Sequence, residues 1–194
     1  MPVTHIPTGG DDMDISVKAY FENLESDDKD AQYEALNKLL ELTEKEVEWA
    51  YEVWDQLKED LTHKNNHKRS RAAQFLANLA AKSDPEKRIL KDFAAVWEVT
   101  KDPKFVTARH SLQSIWKIGL AGDEQKEMVV SHLVDRFNTC PDEKNYTLIR
   151  YDIIQDLKNL FDALEEEEIK QKALELIESE ELDKYRKKYK TIWK

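Results

Sequence analysis

Residues 69–79 read RSRAAQFLANL, and their apolar side chains recur every three or four positions. Ala73, Leu76 and Leu79 therefore share one face of a helix, and polar side chains occupy the other face. Three further segments align with this one without gaps: QYEALNKLLEL from Gln32, ARHSLQSIWKI from Ala108 and RYDIIQDLKNL from Arg150. The four starts are 37, 39 and 42 residues apart. This spacing predicts a repeated helical unit of about forty residues.

Three aligned columns of apolar residues predict the core of the repeat. One helix pair cannot cover its own apolar face, so stacked units must bury these columns together. The columns are Leu36, Ala73, Leu112 and Ile154; Leu39, Leu76, Ile115 and Leu157; and Leu42, Leu79, Ile118 and Leu160.

The segments between these repeats also have helical spacing, and the chain contains only four Gly and five Pro. Neither residue occurs between Asp11 and Asp84, and the later ones fall in gaps of the apolar pattern, where helices should end. The sequence therefore predicts an all-α protein of about ten helices. The predicted spans are 13–25, 28–43, 44–61, 66–82, 85–100, 103–119, 123–139, 143–161, 165–179 and 182–193.

A two-helix unit of this length, whose second helix opens as Asp-x-x-x-Val-Arg-x-x-Ala-x-x-x-Leu, resembles the HEAT repeat. DPKFVTARHSLQSIWKIG and DEKNYTLIRYDIIQDLKNL are most similar to it. The resemblance implies a right-handed α-solenoid, an α-α superhelix of about five HEAT-like helix pairs whose second helices line the concave face. The implied units are 13–43, 44–82, 85–120, 123–162 and 165–194, after a flexible tail of residues 1–12.

The arginine column of this pattern is incomplete. It holds Arg69 and Arg150 but also Gln32 and Ala108, with Arg109 one position late. The sequence therefore departs from a regular Asp–Arg ladder between units.

Composition restricts the function classes. The net charge is −10, and an acidic surface repels nucleic acid and anionic membranes over long range. The single cysteine, Cys140, cannot form an internal disulfide, and we expect it to be a small buried residue near a helix end. The sequence has neither the pattern of a signal peptide nor an apolar run that could cross a bilayer. We expect a cytoplasmic monomer with no membrane partner.

No metal, nucleotide or catalytic motif stands out. His63 and His67 are four residues apart, but no carboxylate completes a metal site with them. We therefore expect a non-enzymatic protein with no cofactor, no metal ligands and no catalytic residues.

The polar face of the repeat helices provides the candidate binding site. One position after the first core column lies a column of amides, Asn37, Gln74, Gln113 and Gln155. With the flanking columns, which include Asp152, these residues should form one exposed strip. Amides side by side offer donors and acceptors that match the backbone of an extended peptide. The candidate binding residues are Asn37, Arg71, Gln74, Asn78, Arg109, His110, Gln113, Lys117, Gln155 and Asn159.

Charge refines this hypothesis. Arg71, Arg109 and Lys117 predict a positive groove centre beside the acidic Glu34 and Glu41, so we expect the partner to be an extended, partly acidic polypeptide. Armadillo-type solenoids are similar in that they hold extended peptides with an asparagine ladder.

Three alternatives remain open. The amides can be ordinary solvated positions of good helix formers. The chain can be a DNA-lesion enzyme, because bacterial alkylpurine glycosylases are also HEAT-like solenoids, and Trp49 or Trp116 would then contact a base. The acidic charge disfavours this nucleic-acid interpretation. A structural homo-oligomer is the third alternative.

Overall fold

The computed structural model describes residues 13–194, and the predicted tail of residues 1–12 lies outside them. Over the described residues the chain forms ten α-helices and no strand, which confirms the predicted all-α fold. None of these helices is long and apolar enough to cross a membrane. The helices are α1 (Ile15–Asn23), α2 (Lys29–Thr43), α3 (Ala50–Asp60), α4 (Asn66–Lys82), α5 (Arg88–Val99), α6 (Phe105–Ser114), α7 (Asp123–Thr139), α8 (Tyr146–Leu164), α9 (Glu167–Ser179) and α10 (Asp183–Lys190).

Local capping residues determine where several helices begin. The Asp28 carboxylate accepts hydrogen bonds from the backbone N–H groups of Asp30 and Ala31, at 2.9 and 3.5 Å, and α2 begins directly after it. Asn65 accepts one from the N–H group of His67 at 2.9 Å at the start of α4. Such caps satisfy N–H groups that have no partner within the helix, and they involve only sequence neighbours.

Helices α3 and α5 begin later than the predicted positions 44 and 85, because hydrogen bonds hold the preceding segments, one between distant residues before α3 and two local ones before α5. The N–H group of Val47 donates to Ser83 Oγ at 2.9 Å, which ties the segment before α3 to the end of α4. Asp84 accepts hydrogen bonds from the N–H groups of Arg88 and Ile89 at 2.8 and 2.9 Å, and so caps α5 at Arg88.

Helix α6 is shorter than the predicted span 103–119, because the chain continues as a 3₁₀ segment over Ile115–Leu120. This segment packs closely against α8. A Cβ atom on Gly119 would lie 2.9 Å from Leu160 Cδ2, closer than side chains normally approach. Glycine therefore permits the contact. A second 3₁₀ segment, Thr191–Trp193, follows α10.

The predicted core columns are buried, except at the first repeat. Ten of the twelve residues expose at most 1 % of their surface, whereas Leu36 and Leu42 of α2 are half-buried. Helix α2 has a neighbouring second helix, α4, on one side only within the described residues, so part of its apolar face is less covered. Cys140 is also buried at the end of α7, as predicted, and burial raises the pKa of its thiol.

The second helices of the pairs, α2, α4, α6 and α8, pack side by side in one row, and the first helices cover the other side of that row. Lys117 Nζ in the 3₁₀ segment lies 3.0 Å from Glu44 Oε1 at the end of α2, and α4 lies between the two elements. In a flat row, two helices that flank a third would stand about 16–20 Å apart. The two side chains therefore meet over the surface of α4, on the side of the row that the first helices leave uncovered. The protein is an α-solenoid.

Candidate polypeptide-binding groove

The row of second helices contains a cavity of about 720 Å³, which we call the inner groove. It lies between the turn that joins α1 to α2, helix α2 itself, the N-terminal half of α4, and α6. Its lining includes Tyr33, Leu36, His67, Arg71, Gln74 and His110.

Exposed ring side chains stand on both sides of the inner groove. Tyr33 on α2 is 68 % exposed, although tyrosine carries a large apolar ring. His67 on α4 and His110 on α6 are also exposed. The predicted site includes His110 but not Tyr33. The sequence signal for Tyr33 is an aromatic residue outside the apolar phase of its helix, since the buried positions of α2 are Ala35, Leu39 and Thr43.

Arg71 lines the inner groove, but its guanidinium forms an ion pair within the protein. Its Nη2 lies 3.2 Å from Glu25 Oε1, and Lys68 Nζ lies 3.4 Å from the other oxygen of the same carboxylate. Burial lowers the pKa of Arg71, and the nearby charges of Glu25 and Asp60 oppose this shift. The guanidinium remains charged at neutral pH and is compensated by a carboxylate of the preceding unit.

Asn78 belongs to the predicted exposed strip, but the structure places it in the interior with 1 % of its surface exposed. The C-terminal end of α2 covers it, because its Nδ2 donates to Thr43 Oγ1 at 3.0 Å and to the carbonyl of Leu40 at 3.3 Å. Its Oδ1 accepts a hydrogen bond from Lys117 Nζ at 3.0 Å. Lys117 also pairs with Glu44, so neither side chain is free for a ligand.

The structure also differs from the predicted strip at Arg109 and Asp152. Asp152 is buried rather than exposed, and the Arg109 guanidinium binds both of its oxygens at 2.9 Å. Gln113 Nε2 donates to the same carboxylate at 3.3 Å. The hydrogen bond with Asp152 raises the pKa of Arg109. Arg109 and Lys117 are each paired with a carboxylate, and Arg71 shares Glu25 with Lys68, so the positive charge of the predicted groove centre is reduced.

The predicted amide column is present without forming a ladder. Asn37 and Gln113 are exposed, and Gln74 and Gln155 are half-buried. Gln74 Nε2 donates to Ser70 Oγ at 3.1 Å within α4, and Gln155 Nε2 donates to Asn159 Oδ1 at 2.9 Å within α8. The hydrogen bonds of these amides go to side chains of their own helix or to Asp152, and not from one amide of the column to the next.

Two residues of the nucleic-acid alternative differ in accessibility. Trp49 is 8 % exposed and packs edge-to-face on Phe21 with ring centroids 5.8 Å apart, so it cannot stack on a base. Trp116 is half-buried against the core. Within residues 13–194, no three His, Cys, Asp or Glu side chains are grouped so that they could hold a metal ion.

These features define the class of the protein, an all-helical solenoid with a groove along its second helices. No protein-family model matches the chain, and no curated protein matches it. Among solved structures, the chain is similar to a designed armadillo repeat protein in complex with the peptide (KR)4. The identity is 15 % over 91 % of this chain and 98 % of that one, with a TM-score of 0.45. The HEAT assignment in particular stays a prediction.

Proposed function

We propose that this protein is a non-enzymatic interaction module that binds an extended polypeptide in the inner groove. The observation that supports this proposal most is the groove itself. Three successive second helices line it, and Tyr33 and His110 project from its two sides while the core below is closed. Exposed aromatic side chains in a concave site are typical anchors for polypeptide partners.

The charges of the inner groove suggest a partner with charges of both signs. Asp27 and Asp30 line its α2 side as exposed carboxylates. On the α4 side, Arg71 and Lys68 share the single carboxylate of Glu25, which leaves one positive charge there. We therefore propose a partly acidic segment whose basic residues lie along α2 and whose acidic residues lie along α4.

Peptide selection followed by affinity measurement tests the groove. Random linear peptides are selected on the wild-type protein, and the enriched peptides are labelled for fluorescence anisotropy. Tyr33→Ala should raise their Kd about tenfold, since aromatic anchors dominate such interfaces, and His110→Ala should raise it about threefold. Leu174→Ala is the matched control, because Leu174 is 39 % exposed on α9, outside the groove, and should leave Kd unchanged.

Two results would count against the groove. Equal Kd values for Tyr33→Ala, Leu174→Ala and wild type would move the binding site elsewhere, and failure to enrich any peptide would argue against a linear polypeptide ligand. A labelled DNA duplex in the same assay, bound with an affinity that falls steeply with salt, would instead favour the nucleic-acid alternative.

A further inference from the structure

In three of the four repeats, the long side chain at the first position of the aligned segment donates a hydrogen bond to a backbone carbonyl of the preceding turn or helix end. Gln32 Nε2 donates to the carbonyl of Leu24 at 2.8 Å. The guanidinium of Arg69 donates to the carbonyl of His63 at 2.8 Å and also binds Asp102 in the next unit. The Gln32 side chain therefore holds the turn before α2, and the Arg69 side chain links the turn before α4 to the next unit.

Arg150 has the same role in the fourth repeat. Its Nε donates to the carbonyl of Phe137 at 3.0 Å, and its Nη1 binds Glu180, which is buried between α9 and α10. The guanidinium also lies over the Phe137 ring at 4.3 Å. In both repeats that have an arginine at this position, its side chain therefore occupies the space between that repeat and the next one.

The third repeat has Ala108 at this position, and a methyl group cannot fill the space. The structure has a cavity of about 300 Å³ there, which we call the rim cavity. It lies between the turn that joins α5 to α6, the start of α6, and the turn that joins α7 to α8. Because Ala108 lines the rim cavity, a long side chain at this position would occupy part of its volume.

The carboxylates around the rim cavity are already bound to arginines. Both oxygens of Asp102 accept hydrogen bonds from Arg69, at 2.6 and 3.0 Å. Those bonds outweigh the effect of burial and lower the pKa of Asp102. Both oxygens of Glu143 accept hydrogen bonds from Arg136, at 2.8 and 2.9 Å, and Arg136 is only 4 % exposed. Neither carboxylate is left to attract a cation.

Two lysines of the rim cavity have no such partner. Lys101 on the first turn and Lys144 on the second are exposed, and neither ammonium group has a hydrogen-bond or ion-pair partner within residues 13–194. The N-terminus of α8 at the cavity also lacks a side-chain cap, so its N–H groups add positive partial charge, whereas Asp102 accepts a hydrogen bond from the Lys104 N–H group at 2.9 Å at the start of α6. The electrostatic field at the cavity mouth therefore favours an anion.

The interior of the rim cavity is mostly apolar, although Arg109 and Arg136 also line it. Phe105, Leu112 and Ile149 line it together with Ala108. A simple inorganic anion would leave this surface uncovered, whereas a branched aliphatic stem would cover it. Apolar lining and a cationic mouth together match a carboxylate on a short apolar stem.

We propose that the rim cavity binds a carboxylate carried on a branched aliphatic stem, with Lys101 and Lys144 at the carboxylate and Ile149 against the stem. This chemistry has two sources, the C-terminal residue of a polypeptide or a free branched-chain organic acid. The site is independent of the proposed function, because no residue lines both the rim cavity and the inner groove.

Methyl NMR of Leu112 and Ile149 tests the site with four probes. Isocaproate and acetyl-Ala-Ala-Leu carry the carboxylate, and isocaproamide and acetyl-Ala-Ala-Leu-amide lack it. Saturable shifts at these methyl groups are expected with the acids, and the amides should bind about five- to tenfold more weakly. Tighter binding of the peptide acid than of isocaproate indicates a polypeptide C-terminus, and the reverse order indicates a free acid.

Substitutions show whether binding depends on the rim cavity and on its lysines. Ala108→Arg supplies the side chain that the second and fourth repeats have at this position. It should abolish binding of the acids, while circular dichroism shows that the protein stays folded. Ala108→Leu fills the same space without adding a charge. The double substitution Lys101→Gln and Lys144→Gln should weaken binding of the acids about five- to tenfold. Lys82→Gln, at another exposed lysine, should leave their binding unchanged. Tyr33→Ala must leave isocaproate binding unchanged, which distinguishes this site from the inner groove.

Three outcomes would overturn the proposal: acids and amides that bind equally, acids that cause no shift, or folded Ala108 variants that bind as wild type does. The first would show that the site has no preference for an anion. The second would show that it does not bind these acids, and the third that they bind outside the rim cavity.

Discussion

Asp156 in α8 is 1 % exposed, and its Oδ2 has no hydrogen-bond partner within the described residues. Burial raises the pKa of this carboxyl well above its usual value, and the neighbouring charge of Asp152 raises it further. An unpartnered buried carboxyl destabilises the fold at neutral pH, because it must either bind a proton or remain charged without compensation.

Asp156→Asn should therefore stabilise the protein at neutral pH, by roughly 1–3 kcal/mol. A carboxyl with a raised folded-state pKa holds its proton more tightly when folded. The buried carboxyl consequently lowers the free energy of unfolding of the wild type at pH values above the unfolded-state pKa of about 4, and not below it. The gain of the variant should shrink as pH falls towards that value. Urea unfolding from acidic to neutral pH measures the difference.

The exposed Asp135→Asn on α7 is the control for this substitution and should change the free energy of unfolding by less than about 0.5 kcal/mol. A gain for Asp156→Asn that does not depend on pH would contradict the titration of Asp156.

Glu165 ends α8 in the left-handed conformation, with φ 55° and ψ 30°. Glycine is the residue that normally occupies this position after a helix, because a Cβ atom makes the conformation unfavourable. The exposed side chain of Glu165 has no hydrogen-bond or ion-pair partner within the described residues. The connection between α8 and α9 therefore depends on a strained residue whose side chain makes no compensating contact.

Glu165→Gly should raise the free energy of unfolding by about 0.5–1 kcal/mol, since the lost strain exceeds the added freedom of the unfolded chain. Thermal unfolding followed by circular dichroism measures the change. Glu168→Gly, in the first turn of α9, should instead destabilise by a similar amount, because glycine is unfavourable within a helix. Equal effects of the two substitutions would contradict the role of the backbone conformation at Glu165.

At the scale of the helices, the sequence predicts all ten of them, but not all of their ends. Helices α4 and α7 begin and end where the periodicity places them, because their caps and breakers are sequence neighbours. Helix α5 begins at Arg88 instead of 85, because Asp84 caps it there. Helix α3 begins at Ala50 instead of 44, because Val47 in the segment before it donates a hydrogen bond to Ser83 at the end of α4. A local pattern cannot reveal a hydrogen bond between residues that are 36 positions apart.

The whole molecule is held together by one continuous core in which each repeat covers the next. Leu76 lies in the middle of this core, with none of its surface exposed, on a helix that packs against α2, α3, α5 and α6. Loss of packing at this helix therefore affects the units on both sides, as expected for a solenoid with nearest-neighbour contacts.

Leu76→Asp should unfold most of the array, because a buried charge without a partner costs more than about 4 kcal/mol, a large part of the total stability of a domain. Far-UV circular dichroism and amide exchange across all units measure the loss. Leu182→Asp is the matched control, since Leu182 is 51 % exposed and the substitution should be nearly neutral. A Leu76→Asp variant that melts like wild type would show that this column is not the core.

The amino-acid sequence is sufficient to predict the helices, the repeated segments and the apolar core, because these depend on spacing within a helix. The division into five units and the HEAT assignment stay predictions. Tertiary contacts, in contrast, determine which polar residues are available to a ligand. Arg71 is paired with Glu25 across 46 positions, and Lys117 with Glu44 across 73. Such pairs form where the packing of the helices brings separate units together, and no local pattern specifies that distance.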